Sequence, residues 1–178
     1  MADPGQAADL CGHAFAYYAT SGTDVTLVCA GARDWRGTDQ LPAIRRLGVR
    51  DLVLLDCHVS ELTAVVLEDL FADVMTSLRP HVVVADGNQA VRETTASAFA
   101  RVRGAAGGSS ALPAKLYYRS GSSPLVSVTT SIAIPGQSPE MFVRAFPDPW
   151  VTGVLERDLF AGVPAERAAT SLEERLAS

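Results

Sequence analysis

Several loops of the sequence hold side chains suited to binding a small molecule or moving a proton. His58 and Glu61 follow the second of five apolar segments, and Asp86 follows the third. An imidazole and carboxylates are common general acids and bases near neutral pH. We therefore expect His58, Glu61 and Asp86 to be catalytic. Side chains in the loops after the first and third segments are expected to bind the substrate: Arg33, Asp34, Trp35 and Asn88.

Several of these residues also have a purely structural interpretation. Asp34 and Asp86 lie close to glycines, so each is equally suited to a turn. Glu61 fits the start of the long helix that follows it, and Trp35 fits packing over its loop. The types of these residues therefore leave a catalytic and a structural role open side by side.

No familiar catalytic motif occurs in the chain: GxSxG, HExxH and GxxxxGK[ST] are all absent. Cys57 and His58 are adjacent, and adjacent residues of an extended chain point to opposite faces, so we do not expect a thiolate–imidazolium pair. The three cysteines, Cys11, Cys29 and Cys57, lack the CxxC spacing. We interpret them as buried thiols.

Five apolar segments predict the strands that would position these loops. The first three are almost continuously hydrophobic, as expected of parallel strands buried on both faces. The segments cover residues 24–30, 51–55, 81–85, 115–118 and 125–134.

Segments with helical spacing alternate with these strands and cover residues 7–21, 38–47, 61–78 and 89–103. The alternation predicts an α/β fold with a mostly parallel sheet and right-handed crossovers. Because ligands of such sheets bind beyond the carboxyl ends of the strands, the polar loops are expected to form one pocket. In the clearest helix, 61–78, one apolar stripe is predicted from Leu62, Val65, Val66, Leu70, Phe71 and Met75.

Length and composition restrict the class of protein. The 178 residues, 48% hydrophobic and 20% charged, predict one domain over 1–178, with a C-terminal helical region over 137–178. The net charge of −5 and the lack of a basic stripe argue against a nucleic-acid partner. No apolar run reaches the roughly 20 residues that span a bilayer, and no signal peptide is evident. We therefore expect a cytoplasmic protein without a membrane partner.

Segments in the same order as in a known family cover most of the chain. Leu47-Gly48-Val49 stands before the second predicted strand, and Glu61-Leu62 follows that strand. Further along are Arg79-Pro80, the three valines at 82–84 and then Lys115-Leu116-Tyr117-Tyr118. This pattern resembles the PIG-L/LmbE family, which comprises zinc-dependent N-acetylglucosaminyl deacetylases and related amide hydrolases. The resemblance implies a Rossmann-like three-layer fold.

The residues that hold zinc in that family have no counterpart here. At the family's His-Pro-Asp-Asp positions the chain has Asp3, Pro4, Gly5 and Gln6. The third zinc ligand of the family is a histidine that would fall within residues 88–92, and this stretch reads Asn-Gln-Ala-Val-Arg. Gly5 stands where the family has its general base, and glycine cannot accept a proton. Gln6 stands where the family has a zinc-binding aspartate, and glutamine is a poor zinc ligand. The resemblance therefore implies a protein without a metal or other cofactor, in which Asp3 and Arg92 join the substrate-binding residues. A relocated metal site would need Asp3, His13, His58 and Asp86.

The first strand of the family also has no counterpart, since only Met1 precedes the first matched segment. Either translation starts upstream of Met1, or this strand has been lost. A sheet that lacks this strand would expose its edges, so we expect a homo-oligomer or a partner chain that covers the gap. The leading hypothesis is a metal-independent enzyme or binder of a small molecule in bacterial metabolism, with specialised metabolism as one such setting. The alternatives are a catalytically inactive scaffold or partner subunit and an amide hydrolase with an atypical site.

Overall fold

The computed structural model describes residues 4–30, 41–57, 63–85, 89–107, 113–120, 129–132, 140–146, 158–160 and 163. Helices and strands alternate through the first part of this chain, as the sequence predicts. The helices are α1 (Pro4–Thr20), α2 (Leu41–Arg46), α3 (Ala64–Leu78) and α4 (Gln89–Ala106). The strands are β1 (Val25–Cys29), β2 (Val49–Leu54), β3 (Val82–Ala85), β4 (Lys115–Ser120), β5 (Thr129–Ile132) and β6 (Glu140–Phe146).

The described strands form two sheets. β1 and β2 pair in parallel as a two-stranded sheet, and a four-stranded sheet has the order β3-β4-β6-β5. In the larger sheet β3 and β4 are parallel, whereas β6 is antiparallel to both β4 and β5. The predicted α/β class is confirmed at this level, but the expected mostly parallel single sheet is replaced by one parallel and one mixed sheet.

The predicted C-terminal helical region is wrong over residues 140–146, which form strand β6. Phe142 is 1% exposed and Arg144 is 3% exposed, because β6 lies between β4 and β5. The segment Ser-Pro-Glu at 138–140 resembles a helix start, and pairing with two neighbouring strands overrides that local preference. The rest of the predicted helical region after residue 146 lies outside the described residues, except for 158–160 and 163.

Helix α3 shows how local chemistry sets the ends of an element. The Thr63 hydroxyl accepts a hydrogen bond from the Val66 amide, and Arg79 ends the helix in the left-handed conformation with φ 47°. The predicted apolar stripe is correct at Met75 but wrong at Val65, which is 71% exposed, and at Val66, which is 40% exposed. These two valines lie in the first turn, and the face that packs inward is defined by Leu67, Ala72 and Met75.

Both faces of strand β4 contribute to hydrophobic cores. Tyr117 packs in a cluster with Tyr18 of α1 and Phe142 of β6, whereas Leu116 packs with Met75 of α3 and residues of α4. Because successive residues of a strand point to opposite faces, α1 lies against one face of β4 and the α3–α4 pair against the other.

Helix α1 also connects the two sheets. It contacts β1 and β2 of the smaller sheet and β6 of the larger one. Its close approach to the turn before β2 requires Gly48, which has φ +79° and would place a Cβ atom 2.3 Å from the Cβ of Ala19. No helix in the described residues is long and apolar enough to span a membrane.

Candidate functional site

One of the predicted site residues, Arg92, lies within the part of the chain that the structure describes. The positions of the other predicted residues therefore remain expectations. They are the catalytic candidates His58, Glu61 and Asp86, and the substrate-binding candidates Asp3, Arg33, Asp34, Trp35 and Asn88, all of which lie outside the described residues.

Arg92 lies at the carboxyl ends of the two parallel strands of the larger sheet. Ala85, the last residue of β3, is in register with Tyr118 near the end of β4. Helix α4 begins at Gln89, so Arg92 belongs to its first turn. This is the edge at which parallel α/β sheets bind their ligands.

The Arg92 guanidinium is fixed against the end of β4. Its Nη2 donates a hydrogen bond to the Arg119 carbonyl at 2.8 Å, and its Cζ lies 5.7 Å from the centre of the Tyr118 ring. The Tyr118 hydroxyl donates in return to the Arg92 carbonyl at 3.3 Å. These contacts join the first turn of α4 to β4 and restrict the orientation of the guanidinium.

One nitrogen of this side chain has no acceptor among the described residues. The Nε of Arg92 is buried and has no hydrogen-bond partner in the structure described here. A buried donor on a charged group without an acceptor is costly and uncommon in folded proteins. Burial also raises the pKa of Tyr118, an effect that the nearby Arg92 charge opposes.

The other polar side chains of this turn pair with each other. Gln89 Nε2 donates to Glu93 Oε1 at 2.6 Å, one turn further along the helix, and both residues are exposed. The start of α4 therefore carries a guanidinium that is held in place and an amide–carboxylate pair that is open to solvent.

Two of the positions that the family resemblance compares with the zinc motif lie in the described part of the chain. Gly5 and Gln6 both belong to the first turn of α1. Glycine has no side-chain donor, and an amide is a poor zinc ligand beside imidazole, thiolate or carboxylate. Among the described residues, no group of three or more His, Cys, Asp or Glu side chains is placed to hold a metal ion.

The carboxyl ends of the smaller sheet hold two of the cysteines. Cys29 and Cys57 are both buried thiols, which confirms the sequence interpretation for these two. The Leu55 amide donates to the Cys29 carbonyl at 2.9 Å, and the Cys57 thiol donates to the Leu55 carbonyl at 3.4 Å. The Cys57 thiol therefore turns back onto its own loop.

A polar network at the opposite ends of the strands was missed from the sequence. Lys115, the only lysine of the chain, is 6% exposed, and its Nζ donates to the Tyr117 hydroxyl at 3.4 Å. The Tyr117 hydroxyl donates to the Leu159 carbonyl at 3.3 Å. A lysine at the start of an apolar strand was the signal that could have indicated a buried cation.

Tyr18 completes this network from helix α1. Its hydroxyl donates to Asp158 Oδ1 at 2.8 Å and accepts from the Leu159 amide at 2.8 Å. Burial raises the pKa of Tyr18 well above its ordinary value, and the nearby Asp158 carboxylate adds to the effect. The two tyrosines thus hold residues 158–160 against α1 and β4, which is a structural task.

Comparisons with protein-family models, curated proteins and solved structures find no match for this chain.

Proposed function

We propose that the protein is a metal-independent binder or enzyme acting on a small molecule, built on a Rossmann-like fold similar to that of the PIG-L/LmbE family. Its ligand is proposed to bind at the carboxyl ends of the parallel strands. The observation that best supports this is Arg92, a fixed guanidinium at the ends of β3 and β4 whose buried Nε has no acceptor in the described structure.

The chemistry of Arg92 favours a ligand with an oxygen acceptor. A guanidinium presents N–H groups in a planar fork that matches carboxylate and phosphate oxygens. A ligand oxygen that accepts from Nε would satisfy a donor whose burial costs about 1–3 kcal/mol when unpaired. The hydrogen bond to the Arg119 carbonyl and the nearby Tyr118 ring already restrict the guanidinium, so less side-chain entropy is lost on binding. The proposed ligand is therefore a small acid or acylated metabolite.

The proposed catalytic groups are those expected from the sequence. In the chain, His58 and Glu61 follow β2 and Asp86 follows β3. A positioned acid or base without a metal contributes about 10²–10⁴ to the rate of a proton transfer. Isomerisation, elimination and cyclisation are reactions that such groups support. We place the protein in the cytoplasm and assign it no resident cofactor.

A binding experiment with the full chain tests the role of Arg92. Acetate, inorganic phosphate and N-acetylglucosamine are titrated by calorimetry into wild type, Arg92→Gln and Arg101→Gln. Arg101 is the matched control, because it is an exposed arginine of the same helix that pairs with Asp69 of α3. Loss of a charge-assisted hydrogen bond of about 1.5–3 kcal/mol predicts a roughly 10- to 100-fold weaker affinity for Arg92→Gln only.

Two results would contradict this proposal. The first is that none of the three probes binds wild type, and the second is that Arg92→Gln binds as tightly as Arg101→Gln. Circular dichroism must show that both variants are folded, because Arg92 also holds Arg119. Arg92→Lys retains the charge without the planar fork, so its affinity should lie between those of wild type and Arg92→Gln.

The catalytic assignment requires a separate test once a reaction has been found. Glu61→Gln, His58→Ala and Asp86→Asn remove one proton-transfer group each and change the side-chain volume little or reduce it. At least one of them should lower the rate tenfold or more while leaving the unfolding temperature near that of wild type. If all three retain more than a tenth of the rate, these residues do not perform acid–base catalysis.

The division into two sheets favours a second candidate function, a partner subunit or scaffold that self-associates. Among the described strands β1 pairs only with β2 and β3 only with β4, so one edge of each has no hydrogen-bonded partner strand within the described residues. Val25 of β1 and Val82 of β3 nevertheless pack against the same core cluster beneath α1. Strand edges of this kind pair readily with another chain.

Light scattering coupled to size-exclusion chromatography tests the self-association of the full chain. We expect a dimer or larger species whose share grows between micromolar and high-micromolar concentration. A monomer across this range would remove the support for a second copy. Binding of the small-molecule probes by that monomer would then leave the first candidate intact.

A further inference from the structure

We draw no further inference here: the strongest candidate, the pair of outer edges of β1 and β3 beside helix α1, belongs to the self-association already proposed, and nothing in the structure shows which segment covers it.

Discussion

Replacing Tyr18 with phenylalanine should destabilise the protein through one buried amide. The substitution keeps the ring, which lies 5.1 Å from that of Tyr17 and 5.3 Å from that of Phe160. It removes the hydroxyl that donates to Asp158 and accepts from the Leu159 amide. Leu159 is 3% exposed, so water does not readily replace that acceptor.

The size of the effect follows from the two hydrogen bonds that are lost. Leaving the buried Leu159 amide without a partner costs about 1–3 kcal/mol. Asp158 is exposed, so water replaces the tyrosine hydroxyl at its carboxylate. Loss of this second hydrogen bond therefore adds little to the destabilisation. We therefore expect the free energy of unfolding to fall by about 1–3 kcal/mol. For a slope near 2 kcal/mol/M, the urea midpoint should fall by about 0.5–1.5 M.

Urea unfolding followed by far-ultraviolet circular dichroism at pH 7 measures this change. Tyr17→Phe is the control, because the neighbouring Tyr17 is 46% exposed and its hydroxyl can exchange with water. That control should stay within about 0.5 kcal/mol of wild type. Equal stability of the two variants would refute the conclusion that the Tyr18 hydroxyl anchors residues 158–160.

The remaining predictions concern alkaline stability and two backbone positions. Burial raises the pKa of folded Tyr18 above its ordinary value of 10.0, so the unfolded chain loses this proton first and the free energy of unfolding falls as pH rises above about 10. Urea midpoints measured at pH 9, 10 and 11 should therefore fall more steeply for wild type than for Tyr18→Phe. Parallel slopes for the two proteins would contradict this. Gly48→Ala should lower the free energy of unfolding by urea about 1–3 kcal/mol more than Gly22→Ala, because both glycines have positive φ (79° and 84°) but only a Cβ at Gly48 would collide with Ala19. The double variant Gly48→Ala, Ala19→Gly should recover part of that difference. Equal losses for the two single variants would rule out the contact. Thr63→Ala should cost about 0.5–2 kcal/mol through loss of the α3 cap, whereas Thr63→Ser, which keeps the hydroxyl, should cost less in the same assay.

Much of the local structure could be predicted from the sequence. The predicted strand over 81–85 becomes β3, Val82–Ala85, and the predicted helix over 89–103 becomes α4, Gln89–Ala106. The spacing of apolar residues within each of these segments is sufficient to predict its secondary structure. The predicted helical region over 137–178 fails at 140–146, because strand β6 is stabilised there by pairing with β4 and β5.

The candidate site was predictable in part. The α/β alternation predicts a site at the carboxyl ends of parallel strands, and the family resemblance adds Arg92 to its residues. Arg92 lies in the first turn of α4, next to the ends of β3 and β4. Its contacts with Tyr118 and the Arg119 carbonyl depend on the register of α4 against β4, which no local pattern encodes. The roles of His58, Glu61 and Asp86 remain predictions.

The sequence by itself determined the alternating helices and strands, the buried thiols at Cys29 and Cys57, and the polar end of β3 where α4 begins. Only the tertiary structure decided that the strands divide into two sheets and that Tyr18 bonds to Asp158, 140 residues further along the chain. The physical reason is that periodicity specifies which face of a segment is apolar. The partner of that face, and of each strand edge, is chosen by contacts between segments far apart in sequence.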